Sequence, residues 1–180
     1  SNMGEYDRES AAEALGNLRL ESSIPALITV SEKDPKPRVR AAAVGALGSF
    51  NGPKVHEFLL KALDSGDSEI SGAAASALGS IGRAEDSIVL VSMLKKSSNK
   101  KLQKSLVEAL GEMCDPAAAD LILPLLDDKD KDLQDECCWA LGHIGEPRAV
   151  EALGKILCAK DGNASFAASF ALAEIGAPRA

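Results

Sequence analysis

Residues 136–157 read ECCWALGHIGEPRAVEALGKIL, and the phrase Ala140-Leu141-Gly142 inside this stretch recurs along the chain. Copies stand at Ala14-Leu15-Gly16, Ala46-Leu47-Gly48, Ala77-Leu78-Gly79 and Ala109-Leu110-Gly111, and Ala171-Leu172-Ala173 is a worn sixth. They fall 31 or 32 residues apart. Self-similarity at a fixed period of this size marks a stack of identical supersecondary units, so the period is read before any local motif.

With the Gly of each phrase as position zero, the other columns fall into line. Position +2 holds Leu18, Phe50, Ile81, Met113, Ile144 and Ile175; position −5 holds Ala11, Ala43, Ala74, Leu106, Cys137 and Ala168. Position −9 is apolar in Val39, Ile70, Leu102 and Leu133, with Asp7 and Ala164 departing. Apolar places at −9, −5, −2, −1 and +2 follow the 3.6-residue period of one helix face. A second set lies at +11 (Leu27, Leu59, Leu90, Ile122, Leu153) and +14/+15, after prolines at +5 (Pro53, Pro116, Pro147) that suit a first helical turn. Each unit is therefore a helical hairpin, and no strand pattern appears. Small residues at −2 let neighbouring helices approach, and the Gly is expected to end its helix or tighten the turn after it.

One hairpin cannot bury both faces, whereas a stack can. The predicted fold is all-α: a right-handed α-α superhelix of about five and a half hairpins. It is read as one solenoid over 4–180, with a half repeat at 4–18 and full repeats at 19–50, 51–81, 82–113, 114–144 and 145–175. Gly176-Ala-Pro-Arg-Ala180 repeats the opening of Gly145-Glu-Pro-Arg-Ala149, so 176–180 reads as the truncated start of a further unit. Ser1-Asn2 has the look of a tag scar, which makes 1–3 a tag remnant. The chain thus reads as a piece of a longer solenoid, and uncapped ends predict weak end-to-end self-association.

The 180 residues are 46% hydrophobic and 26% charged, enough for both a core and solubility. With one Trp, one Tyr and four Phe, that core must be built mostly from aliphatic side chains. The net charge of −7 and the pI near 4.9 oppose a general affinity for nucleic acid or an anionic membrane surface. No apolar run approaches the ~20 residues of a spanning helix. Cys114, Cys137, Cys138 and Cys158 show no disulfide-framework spacing, which makes a reducing, cytoplasmic setting the default.

The stretch Ala140-Leu-Gly-His-Ile-Gly-Glu-Pro-Arg-Ala-Val150 resembles the short HEAT-like repeat of phycobilisome-lyase proteins, and the likeness runs over nearly the whole chain. Ankyrin's Thr-Pro-Leu-His and the tetratricopeptide Trp/Tyr pattern are missing. The family favours Val-Arg at −9/−8; here only Val39-Arg40 keeps it, with Arg8 an echo and Ser71, Gln103, Gln134 and Ser165 elsewhere. The resemblance implies a scaffold or partner-binding surface, in some members a bilin lyase, and in one branch an iron-dependent deoxyhypusine hydroxylase.

The residues narrow these options. The hydroxylase branch carries His-Glu at −7/−6, and the matching pairs here (Glu9-Ser10, Ala41-Ala42, Gly72-Ala73, Lys104-Ser105, Asp135-Glu136, Phe166-Ala167) contain no His. His56-Glu57 lies at +8/+9, in the other helix, where a half-buried packing role fits. His143 stands at +1 among Asn17, Ser49, Ser80, Glu112 and Glu174, a solvent slot. Cys137 and Cys138 point about 100° apart on a helix, poorly placed for one tetrahedral metal, and read as small core fillers. The run Asp127–Glu136 lacks the Gly and Glu of a calcium loop and reads as an inter-helix link. Lysines 95, 96, 100, 101 and 104 sit at the equivalent place one repeat earlier, so the two runs are expected to face one another. No metal, cofactor or catalytic set is assigned.

One ridge remains after the core is accounted for. Positions −7 and −3 share a face and read Glu9/Glu13, Ala41/Gly45, Gly72/Ser76, Lys104/Glu108, Asp135/Trp139 and Phe166/Phe170. By the resemblance, this ridge lines the inner concave surface. It begins acidic, turns small, and ends aromatic. The rings either pack on each other and on a further repeat, or form a partner-binding patch. The candidate partner-binding residues are therefore Lys104, Glu108, Asp135, Trp139, Phe166 and Phe170, and the small residues Ala41, Gly45, Gly72 and Ser76 would leave a groove. The expected function is a non-catalytic scaffold binding a protein or peptide along this ridge; the alternative is a lyase or lyase subunit that handles a bilin-type chromophore.

Overall fold

The computed structural model describes residues 4–159 and 162–176, and from 162 to 164 the backbone alone. The expected tag remnant at 1–3 and all but Gly176 of the expected unit start at 176–180 lie outside the described residues. Eleven α-helices and short 3-10 turns account for the described regular structure, with no strand among the described residues. The chain is an all-α solenoid of hairpins, and it divides into two compact units after Arg83.

In the first unit, α1 (Glu5–Leu18), α3 (Pro37–Leu47) and α5 (Ser68–Ile81) pack side by side; α2 (Ile24–Lys33) lies on α3 and α4 (Pro53–Leu63) on α5. The second unit repeats the scheme. There α7 (Lys100–Glu112), α9 (Lys131–Ile144) and α11 (Gly162–Gly176) lie side by side, with α6 (Ala84–Lys96) on α7 and α10 (Val150–Cys158) on α11. The helix expected over the first half of repeat 114–144 is broken: α8 (Ala119–Ile122) gives way to a 3-10 turn over Leu123–Asp127. Pro124 is the reason, because it has no N–H to donate to the carbonyl four residues back.

The repeated columns are the core. Leu47, Leu78, Leu110 and Leu141 at −1 are buried, as are Leu27, Leu59, Leu90, Ile122 and Leu153 at +11. Burying each such side chain contributes roughly 1.5–3 kcal/mol relative to exposure.

The Gly of the phrase ends its helix as expected at Gly48, the residue that caps α3, whereas Gly16, Gly111 and Gly142 do a different job from the one expected. Gly16, Gly111 and Gly142 lie inside their helices, and Gly48 follows α3 with an ordinary right-handed φ of −60°. A Cβ added to Gly111 would stand 2.7 Å from the Cα of Ala140, and one on Gly142 would stand 2.8 Å from the Cα of Ala171. Gly48 meets Ala77 at 2.8 Å in the same way. Gly16, Gly48, Gly111 and Gly142 are thus seats for the Ala at −2 of the next repeat. The turn is made three residues later, where Gly82 and Gly145 adopt φ of 71° and 70° and Arg19 and Cys114 take the same left-handed place at 50° and 51°.

Polar residues close each hairpin. The carboxylate of Asp67 accepts from the N–H of Glu69 at 2.9 Å, the Asn99 side chain from Leu102 at 3.1 Å, and Asp130 from Leu133 at 3.0 Å. The acidic run before α9 is therefore a helix cap, and Asp128 supports it by accepting from the Asp130 N–H at 2.9 Å. Position −8 closes the other strand of the hairpin. Arg40 donates to the carbonyl of Asp34 at 3.0 Å, Gln103 to that of Ser97 at 2.8 Å, and Gln134 to that of Leu126 at 2.6 Å. The two Gln departures from Val-Arg thus keep the donor and change only its carrier, whereas the Ser71 hydroxyl meets that of Ser65 at 3.3 Å and the Ser165 hydroxyl is buried without a hydrogen-bond partner. Gln134→Ala is expected to lower stability by about 1 kcal/mol, since it leaves the Leu126 carbonyl unsatisfied; urea denaturation reads this, and an unchanged midpoint would refute the closing role.

Neighbouring repeats are also laced by ion pairs. Arg8 binds Asp34 through two nitrogens at 2.7 and 3.0 Å, Arg38 meets Glu9 at 2.9 Å, and Arg148 meets Asp120 at 2.8 Å. Lys100 pairs with Asp128, and Lys104 with Asp132 at 3.1 Å, so the basic and acidic runs do face one another. Exposed pairs such as Arg148–Asp120 contribute on the order of 1 kcal/mol or less each, whereas Arg8–Asp34 is part-buried.

Candidate functional site

The side-by-side packing of α7, α9 and α11 turns the ridge positions into a small grid. Three residues four apart on each helix share its outward face: Lys104, Glu108 and Glu112 on α7; Asp135, Trp139 and His143 on α9; Phe166, Phe170 and Glu174 on α11. The rings gather at one end. Trp139 and Phe170 lie with centroids 4.4 Å apart, Trp139 and Phe166 6.0 Å apart, and the planes are tilted by 47° and 60°. His143 joins them, 6.5 Å from Trp139 and edge-on to Phe170 at 6.1 Å. Tilted and edge-to-face arrangements are the favoured ones for aromatic rings.

Burial divides this cluster. Trp139 and Phe170 are half-buried against each other, while Phe166 remains 69% exposed. Mutual packing and exposure are therefore both present: one pair forms the floor and Phe166 stands on it.

The acidic part of the grid has unusual electrostatics. Glu136, at −6, is half-buried along the α7–α9 seam, and its carboxyl is pushed up to about 7. Burial is the main cause, followed by the negative charge of Glu108; Asp135 and Glu112 add to it, and Lys104 opposes it. Burial and the charge of Asp132 also raise the Asp135 carboxyl, one of whose oxygens is buried with no hydrogen-bond partner. Lys104 reaches towards Asp132 and offsets only part of this charge.

All six expected residues lie on these three helices, with the aromatic three in one cluster and Lys104, Glu108 and Asp135 along the acidic seam. Sequence reading missed Glu136, His143 and Glu112. The +1 position completes the −7/−3 stripe at the same four-residue interval, so its period was the available signal. Nothing in the sequence marked Glu136, whose character comes from the helix packed against it. Of the groove expected in the first unit, Gly45 and Ser76 line a shallow hollow of about 300 Å³ together with Ser49 and Ser80; Gly72 is buried. A second hollow of about 440 Å³ lies between α2 and α4, floored by Ile28, Phe58 and Ala62, and the Glu57 and Lys61 at its rim are paired at 2.7 Å.

The Cys137 and Cys138 thiols are buried; burial pushes Cys138 up to about 12 and Cys137 further still, which leaves neither as a thiolate. No group of three or more His, Cys, Asp or Glu side chains gathers to hold a metal ion among the described residues. No described helix is long and apolar enough to cross a membrane.

Against known families, the model for HEAT repeats matches three times, over residues 3–79, 24–110 and 88–173. The chain belongs to the HEAT-repeat family. No curated protein matches this HEAT-repeat chain. Among solved structures it is similar to the complex of CpcE and CpcF of phycocyanin lyase from Nostoc sp. PCC7120, with 24% identity over 98% of this chain and 74% of that one and a TM-score of 0.70. An engineered protein is similar over 97% and 92% of the two chains at 23% identity, TM-score 0.62. A designed armadillo repeat protein in complex with the peptide (KR)4 is similar at 19% identity over 97% and 96%, TM-score 0.59. These likenesses extend the HEAT-type solenoid fold to structures of diverse sequence.

Proposed function

We propose that this HEAT-repeat chain is a non-catalytic scaffold, working in a reducing cytoplasmic setting, that docks a protein or peptide segment on the α7–α9–α11 ridge. The observation that carries the reading is Phe166: a large ring, mostly exposed, seated beside the half-buried Trp139–Phe170 pair. Exposed apolar clusters rimmed by charge are typical of interfaces, and aromatic anchors dominate their energetics. Solenoids of this kind present just such extended surfaces, as the (KR)4 complex of the designed armadillo protein illustrates. The net charge of −7 argues against nucleic acid as the partner.

Affinity capture from source lysate, with wild type beside Phe166→Ala and beside Trp139→Ala/Phe170→Ala, tests this. A protein retained by wild type and lost by at least about tenfold with Phe166→Ala, at unchanged helical circular dichroism, is the expected result. Phe166→Ala is the cleaner variant, because its ring is mostly in solvent, whereas the double variant also removes packing. Equal retention by all three would exclude the ridge. The bilin-lyase reading keeps second place because the rings offer a stacking surface and one similar structure is a phycocyanin lyase complex. A coloured small molecule with visible absorbance, retained by wild type in place of a protein, would move that reading ahead.

A further inference from the structure

The carboxylates that border the aromatic cluster specify more than stickiness. Glu108 and Glu112 on α7 and Asp135 and Glu136 on α9 lie along one seam, with the ammonium groups of Lys104 and Lys131 acting on Glu136 and Asp135 and Lys104 itself drawn to Asp132. Of the other elements packed on α9, α11 carries Glu174 as its titratable residue among the described side chains, α8 carries Asp120, which is paired with Arg148, and the turn before α9 ends in Asp127 and Asp128. The neighbouring negative charges, together with burial, raise the energy of the ionised forms of the half-buried Asp135 and Glu136, and an incoming cation relieves that. The neighbouring rings supply the second half of a cation site, since a guanidinium is attracted both to an aromatic face and to a carboxylate. An anionic partner would meet repulsion on the same seam.

We propose that the segment docking on this ridge is cationic, presenting an arginine to the exposed parts of Trp139 and Phe166 beside the Glu108 and Glu136 carboxylates. This rests on the docking reading of the α7–α9–α11 ridge and adds the chemistry of its occupant. One consequence is a dependence on pH. With the Glu136 carboxyl pushed up to about 7, it is largely protonated at pH 6 and ionised at pH 8, so the cation is held more weakly on the acid side. His143, on the same stripe of α9, is the control residue set beside Glu136.

Trp139 is the single Trp of the chain, so its emission reports occupancy of the ridge directly. The test titrates the full chain with three short acetylated, amidated peptides, of alternating Arg-Leu, Gln-Leu and Glu-Leu, at physiological salt near pH 8 and near pH 6, with calorimetry in parallel. The Arg-Leu peptide is expected to bind at least about tenfold more tightly than Gln-Leu near pH 8, the Glu-Leu peptide most weakly, and the Arg-Leu preference to shrink about threefold near pH 6. Glu136→Gln should abolish most of the pH response, and His143→Gln should keep it. Equal binding of the Arg-Leu and Gln-Leu peptides would overturn the cationic partner while leaving the docking reading intact. A pH response that survives Glu136→Gln and disappears with His143→Gln would overturn the role given to Glu136. Silence towards all three peptides, or an emission change driven by protein concentration alone, would overturn the inference and the docking reading with it.

Discussion

Gly142→Ala is expected to lower the stability of the chain by about 2–3 kcal/mol, although Ala is the better helix former. The added Cβ would stand 2.8 Å from the Cα of Ala171 and 3.1 Å from its Cβ, and the atom in the way is backbone, which no rotamer change can move. Either α11 shifts outwards and loses close packing along α9, or the clash remains. The same substitution at Gly154 should do the opposite. That residue lies within α10, and a Cβ added there would meet nothing within 4 Å, so Ala is expected to add about 0.5–1 kcal/mol by restricting the unfolded chain. Thermal or urea unfolding of the two variants beside wild type measures both. Equal effects at the two positions would show that close approach is not what the repeated Gly serves.

Glu136→Gln should stabilise the protein in a manner set by pH. In the unfolded chain this carboxyl titrates at its ordinary 4.5, whereas in the fold it holds its proton to about 7. Between those values the folded state binds a proton that the unfolded state releases, so the stabilisation from the protonated form is present at low pH and is lost as pH rises through about 7. Gln keeps the neutral shape at every pH. The variant should therefore match wild type near pH 4.5 and exceed it by about 2 kcal/mol near pH 8, a figure already reduced for solvent screening of a half-buried group. Urea denaturation at the two pH values decides: a gain that does not change with pH would mean that Glu136 is not the group that titrates.

The hairpins were legible because their cause is periodic. Apolar columns such as Leu47, Leu78, Leu110 and Leu141 recur at one place in every unit, and each is buried. Three features needed the third dimension. The purpose of Gly142 depends on Ala171, 29 places away, and no local rule connects them. Pro124 stands in the sequence, but the like period of every unit hides that one of the first helices is interrupted there. The likeness of Arg40, Gln103 and Gln134 at −8 is hidden in the sequence, because what they share is the loop carbonyl they reach and not a residue type.

The candidate site was legible only in part, for the same reason. A four-residue stripe on each helix is a sequence property, and it yielded Trp139, Phe166 and Phe170. What Glu136 does is a property of the neighbourhood: the same residue on an isolated helix would be an ordinary solvated carboxylate, and it becomes unusual only where α7 brings Glu108 and Glu112 against it.

The closures by Asp130 and Gln134 are internal to one hairpin, whereas its hold on the next reduces to a bare Gly beneath an Ala, apolar packing and a few surface ion pairs. A hairpin flanked on both sides within its unit, such as 19–50 or 114–144, is thus a cassette with the same fitting on both sides. Within a unit, duplicating or deleting one whole period leaves every fitting matched, so the length of such an array is free to change in single steps while the face carried by each cassette diverges on its own.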